Sequence, residues 1–120
     1  MARPLAFIIE DDPQLNEIMS ITLQLDFDLE SCADGDIAIM RLKNVVPRII
    51  ILDLNLPGRS GRDILTYIRS EERFKKTRVI LTTADSRQAE TLRNEADIVL
   101  LKPISPRQLQ ELALRISSMQ

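Results

Sequence analysis

Short apolar runs recur along the chain at regular intervals, with amphipathic stretches between them. Leu5-Ala6-Phe7-Ile8-Ile9 is continuous and rich in large side chains, the pattern of a strand buried on both faces. Pro13 suits the first turn of a helix that Asp11 or Asp12 can cap. Leu15, Ile18, Met19, Thr22 and Leu23 then repeat at helical spacing to about residue 26. Leu29 to Cys32 predicts a second strand, and Gly35 breaks the chain before a helix carrying Ile37, Ile39, Met40 and Leu42. Pro47 is the expected stop of that helix, and Ile49-Ile50-Ile51-Leu52 is the clearest buried strand.

The second half continues the alternation. Leu56 to Gly61 has the Pro and Gly content of a loop, and Ile64, Leu65 and Ile68 mark a third helix. Val79 to Leu81 predicts a fourth strand, Ser86 to Glu95 a polar fourth helix, and Ile98 to Leu101 a fifth strand. Ser105-Pro106 opens the last helix as an N-cap followed by an N1 proline, with Leu109, Leu112, Ala113 and Ile116 as its apolar face. Five strands alternating with five helices predict an α/β fold: an all-parallel, doubly wound sheet covered on both faces. The flavodoxin-like strand order 2-1-3-4-5 fits this count.

Composition narrows the chemistry. The 120 residues contain no histidine, which excludes a Ser-His-Asp triad, a His-ligated zinc site and a histidine general base. One cysteine, Cys32, cannot form an internal disulfide, so the expected setting is reducing and cytoplasmic. No apolar run is long enough for a membrane span. Net charge is −2, but residues 1–40 hold nine acids and only Arg3 as a base, while fifteen bases lie in residues 41–120. Those bases are scattered singly and aromatics are 3%, which speaks against a direct nucleic-acid surface.

The polar residues that follow each buried strand carry the functional signal. Strand one is followed by Glu10-Asp11-Asp12, strand three by Asp53, strand four by Thr82-Thr83 and strand five by Lys102. In a parallel sheet all of these fall on one edge, the carboxyl edge where sites form. Taken singly, each is ordinary helix-cap or turn chemistry. Together they bring carboxylates, a hydroxyl and an ammonium to one place. Clustered carboxylates repel unless a cation intervenes, and an all-oxygen donor set selects a hard metal, magnesium before calcium. A carboxylate there can act as a nucleophile toward phosphorus, with metal, lysine and hydroxyl neutralising charge.

On these residues the chain resembles the receiver domains of two-component response regulators, of the chemotaxis-regulator kind, over residues 1–120. The matching segments are Phe7 to Asp12, Ile51 to Gly58 with Gly61, Leu81-Thr82-Thr83-Ala84, and Leu101-Lys102-Pro103. The resemblance implies that Asp53 is the phosphoacceptor and that Glu10, Asp11, Asp53 and Asn55 form the Mg2+ site. Within that site Asp11 would be a direct ligand, Glu10 would act mostly through water, and Asn55 would lend its backbone carbonyl. It implies Asp12 as a helix cap, Thr83 as the switch hydroxyl and Lys102 as the partner of a phosphate oxygen. Asn55 and Asp85 would lie where the family tunes hydrolysis. The implied donor is a phosphohistidine on a sensor histidine kinase or histidine phosphotransfer protein, and the implied output is a downstream effector protein or domain. A cis Lys102–Pro103 bond is expected on the same ground.

Some positions depart from the family pattern. Val99 stands where most receivers carry an aromatic, and Glu95 where a glycine is common. Gln88, Ile98, Gln108 and Leu112 replace the charged dimer contacts of winged-helix regulators. The leading expectation is a regulatory phosphoacceptor, not an enzyme, that assists only its own phosphorylation and dephosphorylation. The alternatives are a phosphorylation-independent receiver-fold scaffold and an aspartate-nucleophile phosphatase.

Overall fold

Each predicted strand and helix forms. The computed structural model describes residues 3–119. In chain order its elements are β1 (Leu5–Ile9), α1 (Pro13–Leu23), β2 (Asp28–Cys32), α2 (Gly35–Leu42), β3 (Ile49–Asp53), α3 (Gly61–Ser70), β4 (Arg78–Thr83), α4 (Ser86–Leu92), β5 (Ile98–Leu101) and α5 (Pro106–Ser117). The five strands are parallel in the order β2-β1-β3-β4-β5, as the alternation predicts. A single 3-10 turn, Glu72–Phe74, had no signal in the apolar spacing.

Strand alternation divides the interior into two layers. Phe7, Ile9, Ile50, Leu52, Val79 and Leu81 face α2, α3 and α4, packing with Ala38, Leu42, Ile64, Leu65, Ile68 and Leu92. Ala6, Ile8, Ile49, Ile51 and Ile80 face α1 and α5, packing with Met19, Leu23, Leu109, Ala113 and Ile116. Every residue of β3 is buried, whereas β2 at the edge is half-exposed. Truncating Ile50 or Ile51 to Ala would cost about 2–5 kcal/mol, because neither layer can collapse around the gap.

All five helices begin with a side-chain cap: Asp12, Asp34, Ser60, Asp85 and Ser105 each accept a backbone N–H of the first turn. These caps sit just past the strands' carboxyl ends, so they set the loops around that edge. Of the two candidate caps for α1, the structure uses Asp12. Gly61 starts α3 directly against β3: a Cβ there would collide with the Asp53 carbonyl oxygen. Gly58, at φ 72°, turns the intervening loop in a conformation that side chains disfavour.

Several boundaries differ from the periodicity. α1 ends at Leu23, because Asp26 and Phe27 both donate to the Leu23 carbonyl in a turn that delivers Phe27 to the core. α2 ends at Leu42 with a C-cap at Lys43, so Pro47 does not stop it. α4 ends at Leu92, where Glu95 N donates to Leu92 O and closes a tight turn. β4 runs on through Thr82 and Thr83. On α2 the small Ala38 faces the core, while Ile37 and Met40 are exposed.

Candidate functional site

Residues that share a row in the sheet explain how the site is assembled. Ile8, Ile51 and Ile80 are in register and face the α1/α5 layer. Two residues further along each strand come Glu10, Asp53 and Thr82, so the two-residue period aims all three to the same side. Lys102 follows β5 on that edge, and the Lys102–Pro103 bond after it is cis, as expected. Its Nζ lies 3.2 Å from Asp53 Oδ2, to which it donates, and 3.1 Å from Glu10 Oε1. The second contact is one of charge, at an angle that makes no hydrogen bond. Glu10 and Asp53 are buried, so this ammonium is bound in a low-dielectric setting.

The other carboxylate oxygens are held by the backbone. Glu10 Oε2 accepts from the Asp12 amide at 3.0 Å, and Asp53 Oδ1 accepts from the Asn55 amide at 3.0 Å. Asn16 Nδ2 donates to the Glu10 carbonyl at 2.9 Å and so ties α1 to the end of β1. Asp11 is exposed at the mouth. Glu10, Asp11 and Asp53 each offer one carboxylate oxygen, and the three lie within 4.8 Å of one another.

Electrostatics follow from burial first and from that crowding second. Burial chiefly, and the neighbouring Asp53 charge, push Glu10 up to about 7 despite the Asp12 amide and Lys102. Burial pulls the Lys102 ammonium down, but the Glu10 and Asp53 carboxylates outweigh it and leave the group above the ordinary lysine value. One lysine does not relieve the negative charge that three carboxylates concentrate here. The donor set is all oxygen, and it fits a divalent hard cation.

Thr83, the expected switch hydroxyl, ends β4 and is fully buried. Its Oγ1 donates to Gln88 Oε1 at 2.9 Å and accepts from the Asp85 amide at 3.1 Å. The structure therefore brings Glu10, Asp11, Asp53 and Lys102 together and ties Thr83 to α4. Asn55 is exposed, in contact with Asp53 through its amide. Val99 is half-buried against the α2–α4 layer.

Two further residues bear on the site. Strand period puts Thr82 on the Asp53 face, and its hydroxyl is buried with no partner among the described residues. The sequence marks Gln88 only as a changed dimer contact. Its bond to Thr83 depends on the course of the β4–α4 loop, which no local pattern encodes.

Known proteins share the sequence pattern and the fold. A family model described as the response regulator receiver domain matches residues 6–114. The DNA-binding response regulator MtrA of Mycolicibacterium smegmatis is 29% identical over 106 residues, which is 85% of this chain and 45% of that protein. This chain thus spans less than half of that relative. Chemotaxis response regulator CheY4 of Vibrio cholerae superposes with a TM-score of 0.87 at 23% identity, over 96% of this chain and 99% of that one. The receiver domain of sensor histidine kinase PA1611 from Pseudomonas aeruginosa, solved with a magnesium ion in its active-site cleft, gives 0.88 at 24% identity, over 98% and 100%. At these identities the two structures establish the fold.

Proposed function

This chain belongs to the response regulator receiver family, a regulatory phosphoacceptor of two-component signalling, and we propose that Asp53 is the residue that carries the phosphoryl group. The observation behind the assignment is the placement of Asp53: buried at the end of the most apolar strand, with Lys102 at 3.2 Å and the carboxylates of Glu10 and Asp11 beside it. In the proposed transfer an Asp53 oxygen forms a bond to phosphorus as the N–P bond of a donor phosphohistidine breaks. The bonding pair returns to the donor imidazole, which leaves.

Each nearby residue then has a defined task. The Asn55 amide fixes the Asp53 carboxylate through Oδ1 and orients it. Lys102 offers its ammonium to the transferred phosphoryl oxygens, having first held Asp53 in place. Glu10, Asp11, Asp53 and the Asn55 carbonyl would hold Mg2+. When bound, that ion would supply charge neutralisation for an anion approaching a carboxylate. The Thr83 hydroxyl would donate to a phosphoryl oxygen and convey occupancy to α4. These 120 residues contain no histidine, so a phosphohistidine donor would lie on a sensor kinase or phosphotransfer domain outside them, and a downstream effector would read the result.

The test uses acetyl phosphate with magnesium and intact mass spectrometry. Wild type gains one phosphoryl mass and Asp53→Asn gains none. An unchanged gain in the mutant overturns the assignment.

A further inference from the structure

The Thr83 hydroxyl has one proton and stands within hydrogen-bond distance of a side-chain acceptor on α4. Oγ1 donates to Gln88 Oε1 at 2.9 Å and accepts from the Asp85 amide at 3.1 Å. A hydroxyl can donate only once. Donation to Gln88 and donation to an oxygen at Asp53 are therefore mutually exclusive. Thr83 is fully buried and Gln88 half-buried, so water competes weakly for either group.

We propose that Gln88 is a positioning residue that holds the switch in its resting state by competing with the phosphoryl group for the Thr83 proton. The inference rests on the reading of Asp53 as phosphoacceptor and deepens it. The phosphoryl oxygens win because they are charged acceptors, and charged hydrogen bonds are roughly twice as strong as neutral ones. Gln88 sets how much of that advantage is spent on releasing the resting contact. It also fixes what moves: Gln88 is the third residue of α4, within its first turn, and Asp85, whose amide holds the same oxygen, caps that helix. Loss of Thr83 from this pair frees the first turn of a seven-residue helix that buries only Ala89 and Leu92. Release of Gln88 is thus the first event by which occupancy at Asp53 reaches the surface.

The experiment measures beryllofluoride affinity in the presence of magnesium by fluorine NMR. Gln88→Met keeps length and helix propensity but removes the acceptor, and it should bind about three- to tenfold tighter than wild type, the worth of one neutral hydrogen bond. Gln88→Glu supplies a charged acceptor and should bind weaker than wild type. In a Thr83→Val background the effect of Gln88→Met should vanish, whereas in Thr83→Ser it should persist. If wild type binds and Gln88→Met does not differ from it, the inference fails while the phosphoacceptor reading stands. A Gln88→Met effect that survives in Thr83→Val overturns the inference too, because it then acts through helix packing. Failure of wild type to bind beryllofluoride overturns both.

Discussion

The two halves of the carboxyl edge are built differently. At the ends of β1, β3 and β5, charged groups hold one another: Lys102 joins Glu10 and Asp53, and backbone amides take the remaining carboxylate oxygens. That half rests on β3, which is buried throughout. At the end of β4, by contrast, Thr83 is held by neutral hydrogen bonds to a short helix. The difference separates two duties. A nucleophile and its charge partners need fixed geometry, while an element that responds must be drawn from the less stable part of the structure.

The comparison is broken most completely on the fixed half. Asp11→Ala should abolish magnesium-dependent labelling by acetyl phosphate, since it removes one of three clustered carboxylates. Asp12→Ala should retain labelling and lose only the α1 cap, about 1 kcal/mol in thermal or denaturant unfolding. Equal labelling of the two mutants would mean that the cluster is misassigned.

On the responsive half, Thr83→Ala should leave Asp53 phosphorylated but uncouple it from partner binding. Amide exchange with and without beryllofluoride should report wild-type changes across residues 83–94 and their loss in the mutant. Changes confined to the neighbourhood of Val99 would place the response elsewhere.

The cost of burying a carboxylate on the fixed half, beside the charge of Asp53, should appear as pH dependence. Glu10 holds its proton in the folded protein up to about pH 7, well above the ordinary value of 4.5. Its contribution is therefore fully present below pH 4.5 and is lost as pH rises through 7. Metal-free wild type should lose on the order of 1–3 kcal/mol over that window in denaturant titrations. Glu10→Gln should flatten the slope, and magnesium should do the same in wild type.

Two smaller effects sharpen the contrast. Val99 is β-branched, half-buried and stiff about χ1, so it cannot sweep between positions as an aromatic can. Val99→Ala should cost about 1 kcal/mol of packing and leave the response to beryllofluoride unchanged. Thr82→Val replaces a buried hydroxyl that has no partner with a methyl group of similar shape, and should stabilise the fold by roughly 1 kcal/mol. A loss of stability would mean that this hydroxyl is satisfied within the site.

Much of the edge was legible because topology is a strong constraint. Once five apolar runs alternate with helices, right-handed parallel crossovers carry whatever follows each strand to one side of the sheet. Glu10, Asp11, Asp53 and Lys102 meet for that reason, and their order along the chain was enough to predict it. The cap residues Asp12 and Ser105 were equally local, since a cap is a bond to the next turn.

What the sequence left open depended on groups far apart in the chain or on competition within one turn. Periodicity ran α1 and α4 too long because it marks apolar spacing, not the turn that brings Phe27 inward or the one at Glu95. It ranked Ile37 and Met40 with Leu42, whereas packing against α3 selects Ala38. Likewise the sequence alone marks Thr83 as a hydroxyl at the edge, but only the tertiary structure sets Gln88 Oε1 2.9 Å from it as an acceptor. Apolar period and chain order act at fixed separations along the backbone and can be read directly. A side-chain partner is chosen by the course of a loop and by the other acceptors within reach, and those exist only once the chain has folded.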